Sequence, residues 1–277
     1  MRLLPMLCQR FRVFAVTSQP PTSERFHALR HAGAIPLVAD LDQPASLRRL
    51  AGLAQVIVHL APPQTEGHAD KRTRRLAAIL PEKARLVYIS TTGVYGDGGG
   101  TSFDETRPVK PANARAQRRV SAETSLRNWA RRRSGHLSIL RVPGIYAEDR
   151  LPLERIKKGS PALLAEDDVF SNHIHADDLA YLIFLACFRG SANRVYHAVD
   201  DSELKMADYF DLVADHFELA RVPRMSRAEL TQCATPLTMS FMSESRRLKN
   251  DRIKRELAAK LRFPTVQATL VQMRDKT

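Results

Sequence analysis

Cysteine is scarce in this chain of 277 residues: Cys8, Cys187 and Cys233 stand far apart, with no C-x-x-C. An odd, scattered set argues against a disulfide framework and against a zinc site, and it fits a reducing, cytoplasmic setting. Long apolar runs are missing too. The longest, Leu179 to Phe188, is about half the ~20 residues that a membrane span needs, so it reads as a buried helix. The first eight residues hold an arginine but no apolar core region and no small-residue cleavage site, so neither a signal peptide nor a membrane is expected. Aromatic residues make up only 6%. Without interleaved aromatics or a recognisable RNA or DNA module, charge alone is a poor reason to expect nucleic acid as a partner. No internal repeat and no long low-complexity tract is present.

Other properties are plentiful. Hydrophobic residues make up 44%, ample for one large domain or two coupled ones. The net charge of +13 points to anionic partners such as phosphorylated cofactors or nucleotide sugars. Basic clusters such as Arg131-Arg132-Arg133 and Arg246-Arg247 read as solvated helix faces. Along the chain, apolar runs of strand length alternate with helical patterns: a helix near Leu3, a strand at Arg12 to Val16, a helix from Ser23 to Ala32, a strand at Ile35 to Val38. They continue with a helix from Gln43 to Leu53, a strand at Gln55 to Leu60 and a basic helix from Ala69 to Leu80. This rhythm implies right-handed crossovers and a parallel sheet.

The organising stretch is Leu86 to Gly96, LVYISTTGVYG. Its apolar half is a buried strand; its hydroxyl-rich half would lie at the carboxyl edge of a sheet, where open α/β folds bind ligands. Asp97 to Thr101, rich in glycine, reads as a flexible link. Then follow Asp104-Glu105-Thr106-Arg107-Pro108, Pro111, and an Arg-rich helix from Ala112 to Arg133 that contains Glu123. Later come Leu140 to Tyr146 (LRVPGIY), Asn172 to Leu179 (NHIHADDL), Asn250 to Leu257 (NDRIKREL) and Arg262-Phe263-Pro264. In this order the motifs resemble the extended, epimerase/dehydratase-like branch of the short-chain dehydrogenase/reductase superfamily, over nearly the whole chain.

The resemblance implies an α/β fold: a Rossmann-like doubly wound parallel sheet with a small C-terminal substrate domain. Residues 1–147 and 172–200 would form the NAD(P)-binding part, and 148–171 and 201–277 the smaller part. The family's first strand and glycine-rich turn are absent from this sequence: no G-x-G-x-x-G lies near the N-terminus. Either the start codon is placed late and the natural product carries ~10–15 more residues, or the strand is missing from the protein. Energetics favour the first. Strand 1 is central in this fold, and each buried backbone group left unpaired costs on the order of 1–3 kcal/mol.

By the same resemblance Thr91 is the hydroxyl that binds the reacting oxygen, with Thr92 as fallback. The family's catalytic Tyr and Lys positions are held by Arg115 and Arg119. Arginine stays protonated and cannot act as a general base. Three readings stay open. Tyr95, Tyr146 or His175 replaces the tyrosine; the chain binds a dinucleotide without catalysis, as a sensor or scaffold; or Arg115 and Arg119, one turn apart, hold an anionic group. The cofactor candidates are Ser18, Asp40, Leu41, Ala61, Pro62 and Thr91. No acid follows the strand that ends at Thr17-Ser18, and this leans from NAD toward NADP. The expected substrate is a small anionic molecule with a carbonyl or hydroxyl group, such as a nucleotide sugar, and a homodimer stays open.

Overall fold

The computed structural model describes residues 1–274. The chain opens with helix α1 (Leu4–Cys8), strand β1 (Phe14–Thr17), helix α2 (Glu24–His31) and strand β2 (Ile35–Val38). Then come β3 (Val56–His59), α3 (Lys71–Ile79), β4 (Arg85–Thr91) and α4 (Ala114–Arg132). β5 (His136–Val142), β6 (Gly144–Tyr146), β7 (His173–His175), α5 (Ala176–Arg189), β8 (Arg194–His197) and α6 (Met206–His216) complete the main elements. α2, α3 and α4 start where a polar side chain accepts an orphan N–H: Ser23, Asp70 and Asn113 cap them in turn. β4 is central because it is apolar on both faces, with Leu86, Val87 and Tyr88 fully buried.

Two parallel sheets form the α/β layer. Four strands run in the order β8-β5-β4-β3, and β1 pairs with β2. Placed side by side, they reproduce the doubly wound order with its first strand left out between β1 and β3. No ladder joins β1 to β3 among the described residues. Apolar packing holds the two parts instead. Leu3 and Leu7, on and beside α1, enter the main core with Val13, Val56 and Val58, while Leu4 packs with Leu29 and Ala34 beside β2. A separate core gathers Ile156, Leu163, Phe210, Val213, Leu230 and Leu270. The last three residues of the expected smaller part, 275–277, lie outside the described residues.

Three expectations from sequence are corrected. Residues 43–53 do not make one helix: Pro44–Leu47 is helical, Arg48–Leu50 is a tighter 3-10 turn, and Gly52 ends it at φ +70°. The Ser46 hydroxyl binds back to the carbonyls of Gln43 and Asp40 and so competes with helix propagation. The link at 97–101 is pinned, because the amides of Gly98 and Gly100 both donate to the Ser245 carbonyl, at 3.0 and 3.1 Å. A Cβ on Gly98 would stand 2.9 Å from that oxygen, so the approach needs glycine. Arg246 and Arg247 lie on no solvated helix: Arg247–Leu248 is a short strand beside Ser102–Phe103, and the Arg246 side chain is only 13% exposed. Among the described residues no helix is long and apolar enough to cross a membrane.

Candidate functional site

β4 delivers Thr91 to the carboxyl edge of the sheet. There the chain turns through a short 3-10 segment, Thr92–Tyr95, and Thr91 Oγ1 accepts the Gly93 amide at 3.2 Å. That bond fixes the hydroxyl and leaves its proton to donate. A cavity of about 360 Å³ opens at this edge, with Thr91, Thr92, Arg115, Tyr146, His173 and Tyr209 on its walls. Strand register explains the grouping. Thr91 pairs with Val142; two residues on, Gly144 pairs with His173 and Tyr146 with His175. Side chains alternate along a strand, so Gly144 and Tyr146 share one face. Tyr209 of α6 closes the cavity from the second core.

The groups beneath the edge are charged and tightly paired. Glu123 of α4 accepts the Ser90 hydroxyl at 2.6 Å and two Arg141 bonds at 3.1 and 2.7 Å, with Arg127 at 3.0 Å. Burial works against its charge, but Arg141, Ser90 and Arg127 outweigh it and hold the carboxyl below its ordinary range. Tyr95 donates into the same region: its OH lies 2.6 Å from His197 Nε2, whose Nδ1 lies 2.9 Å from the Lys249 carbonyl. Both side chains are buried, and Tyr95 is absent from the cavity wall.

The sequence candidates divide. Thr91, Tyr146 and Arg115 meet at the cavity. Tyr146 is 1% exposed, and its OH is 3.1 Å from Thr269 Oγ1. Burial first, and then the nearby Asp200, push its phenol far above the ordinary value, so it stays protonated. Arg119 is drawn elsewhere: its Nη1 donates to the Tyr88 hydroxyl at 3.1 Å and to the Ile89 carbonyl at 2.9 Å. Arg115 and Arg119 therefore do not converge on one point, because a strand carbonyl claims the second guanidinium. His175 is fully buried, stacks on Phe263 at 3.7 Å, and accepts the Asp177 amide at 3.2 Å as the cap of α5. It is not on the cavity wall.

The cofactor candidates lie in the loops that close the strands. Ser18 is exposed after β1. The Asp40 carboxylate accepts the Asp42 amide at 2.8 Å. Arg75 donates to the Leu41 carbonyl at 3.0 Å, and Arg72 bridges Asp42 and the Pro62 carbonyl. Arg72 thus ties the loop of Asp40 and Leu41 to the loop of Ala61 and Pro62. A nicotinamide dinucleotide fits this donor set at its ends. The tied loops offer a carboxylate, carbonyls and apolar surface for an adenosine, and Thr91 offers a hydroxyl at the other end. For the pyrophosphate, no glycine turn is present: the first glycine is Gly33, and α1 begins at Leu4 with no side-chain cap.

Sequence reasoning missed His173, Arg150, Glu244 and Arg246, all on the cavity wall. His173 was visible inside the NHIH motif. Its ring lies 4.4 Å from that of Tyr209, its Nδ1 has no partner, and burial lowers its value to about 4, so it is neutral at pH 7. The segment that carries Glu244 and Arg246 had no signal, because only the fold brings it to the β4 edge.

Comparison with known proteins follows the same lines. The family described as RmlD substrate binding domain matches residues 68–274. A conserved protein of unknown function from Silicibacter pomeroyi DSS has 27% identity, covers 99% of this chain and 94% of its own, and superposes with a TM-score of 0.79. A dTDP-glucose 4,6-dehydratase from Streptomyces venezuelae, with NAD bound, has 19% identity over 95% of this chain and 88% of its own, with a TM-score of 0.73. RMD from Pseudomonas aeruginosa, complexed with NADPH, has 17% identity over 94% of this chain and 97% of its own, with a TM-score of 0.69. No curated protein matches at the sequence level.

Proposed function

The chain belongs to the RmlD substrate binding domain family and is an atypical extended short-chain dehydrogenase/reductase of epimerase/dehydratase-like fold, and from that premise we propose that it is an NAD(P)-dependent oxidoreductase acting on a carbonyl or hydroxyl group of a small anionic substrate. The observation that carries this reading is Thr91. Its hydroxyl is fixed at the carboxyl edge of the central strand, and the residue lines a cavity large enough for a small molecule.

The residues that would hold the dinucleotide are Ser18, Asp40, Leu41, Ala61 and Pro62 toward the adenosine and Thr91 toward the nicotinamide. When bound, the nicotinamide supplies hydride chemistry. The chain's own part is to bind and orient. Thr91 donates to the substrate oxygen, and Arg115 sets a permanent positive charge on the same cavity, where oxygen gains negative charge as a carbonyl is reduced. His173 lines the same cavity as a neutral imidazole and adds a ring that can hydrogen-bond there, not a charge.

A second reading is favoured by one observation. Arginines occupy the positions of the family's tyrosine and lysine, which suits a dinucleotide-binding sensor or scaffold. Thermal shift with NADPH and NADH tests both readings together: a ligand at 100 times its Kd adds about 2.7 kcal/mol to stability. No shift with either removes both. A shift without turnover across carbonyl, alcohol and nucleotide-sugar panels selects the sensor, and turnover selects the enzyme.

A further inference from the structure

Aromatic residues make up only 6% of the chain, yet Tyr146, Phe170, Tyr209 and Phe210 all line the one cavity. Ile145 and Met206 line it too, and Ile145 is left 37% exposed. The rings are held before any ligand arrives. The Tyr209 ring lies 4.4 Å from that of His173, the Arg155 guanidinium lies 4.9 Å from the Phe210 ring, and that of Arg247 lies 5.0 Å from the Phe170 ring. Phe170 is fixed through its backbone as well. Its amide donates to the Ser245 hydroxyl at 3.0 Å, and its carbonyl accepts the Arg246 amide at 3.3 Å. A wall ordered in advance loses little entropy on binding.

Several polar side chains on the same wall have already spent their hydrogen bonds inside the chain. Asn113 accepts the Ala116 amide at 2.9 Å as a helix cap. Asn172 donates to the Arg246 carbonyl at 2.9 Å and accepts the Leu248 amide at 3.0 Å. Glu244 is paired with Arg246, which also donates to the Gly96 carbonyl at 2.7 Å. The Thr269 hydroxyl gives its proton to the Thr265 carbonyl at 2.9 Å. The Tyr146 OH, 3.1 Å from Thr269 Oγ1, is therefore the donor of that pair and has no proton left for a ligand. A site that reads sugar hydroxyls needs unspent donors and acceptors, because a hydroxyl buried without a partner is costly. This wall suits one oxygen at Thr91 and an apolar body beside it.

We propose that the substrate of this cavity is an apolar carbonyl compound or alcohol that carries a ring-sized hydrocarbon group beside the reacting oxygen, and that Ile145, Phe170, Met206 and Phe210 select that group. The assignment rests on the reading of this cavity as the substrate site. It separates the substrate from nucleotide sugars by the chemistry of its body. Fixed aromatic side chains meet a ligand ring by offset or edge contacts, and the flexible Met206 thioether fits around its outline.

Saturation-transfer NMR titration with acetophenone, cyclohexyl methyl ketone and dihydroxyacetone, each with and without NADPH, tests the assignment without requiring turnover. The three probes share a carbonyl and differ in the group beside it. Wild type is expected to bind at least one of the two ring ketones saturably, and about tenfold or more tightly than dihydroxyacetone. The two ring ketones distinguish an aromatic from a saturated body, and preference for either upholds the assignment. Met206→Gln, which keeps the side-chain length, and Ile145→Thr, at a position already exposed, are each expected to weaken that binding about threefold or more. Met206→Leu is expected to keep it. Dihydroxyacetone bound as tightly as the ring ketones overturns the assignment. So does the absence of saturable binding at millimolar probe, or wild-type affinity in both Met206→Gln and Ile145→Thr. If a ring ketone binds through these residues and neither NADPH nor NADH binds, the apolar subsite stands and the proposed function falls. If a dinucleotide binds and only nucleotide sugars turn over, the function stands and this assignment falls.

Discussion

Thr91, Glu123 and Asp200 each do one job that a single substitution can isolate. Thr91→Val keeps the shape of the strand end and removes the donor. Loss of one such donor typically costs about 10²–10³ in kcat, so turnover is expected to fall by that order while NADPH affinity changes little. Glu123 has a lowered folded value, so its contribution to stability is full above the ordinary carboxyl range and is lost as pH falls through that lowered value. Glu123→Gln leaves Arg141 buried without its countercharge, and about 3–5 kcal/mol of stability is expected to go, read from the urea midpoint at pH 7. Asp200 has the opposite sign. Burial raises it to about 7. Between the ordinary carboxyl range and that value the folded state holds a proton the unfolded state lacks, so stability falls as pH rises through this window. Asp200→Asn is expected to flatten that decline. An unchanged slope between pH 4 and 7 would contradict the assignment.

The elements around the cavity depend on a few tight turns. Gly96, at φ +65°, follows the Thr92–Tyr95 turn, and a Cβ there would stand 2.3 Å from the Lys110 carbonyl. Gly96→Ala is therefore expected to destabilise by more than the ~1–3 kcal/mol of a strained backbone alone, and to disturb Arg246, which bonds the Gly96 carbonyl. A thermal melt of the variant against wild type checks it. The strands and long helices of this region were legible in the sequence, since β4 carries the apolar run Leu86 to Ile89 and α4 has a polar cap. That Thr91 and Tyr146 come to the same sheet edge was legible from the motifs they sit in. The places of Arg246 and Glu244 were not, because nothing local distinguishes an arginine drawn to the cavity wall, as Arg246 is, from a half-exposed one beside it, as Arg247 is. The separate fates of Arg115 and Arg119 were equally hidden: the helix places them one turn apart, and only the Ile89 carbonyl and Tyr88 hydroxyl decide where the second one goes.

At the scale of the molecule, the sheet is divided. β1 and β2 share no hydrogen bond with β3 among the described residues, and α1 links their packing to the main core. Regions with fewer tertiary contacts open first, so amides of β1 and β2 are expected to exchange faster than those of β4 and β5. Leu7→Ala, which removes a buried side chain from this junction, is expected to cost about 2–5 kcal/mol and to widen that difference. On the proposed function, the carboxyl edge of both sheets binds one nicotinamide dinucleotide. Hydrogen–deuterium exchange with and without saturating NADPH reads that edge residue by residue. Protection is expected in four places together: residues 18–19, 40–42, 61–63 and 91–93. No protection, or protection confined to other surfaces, would contradict it.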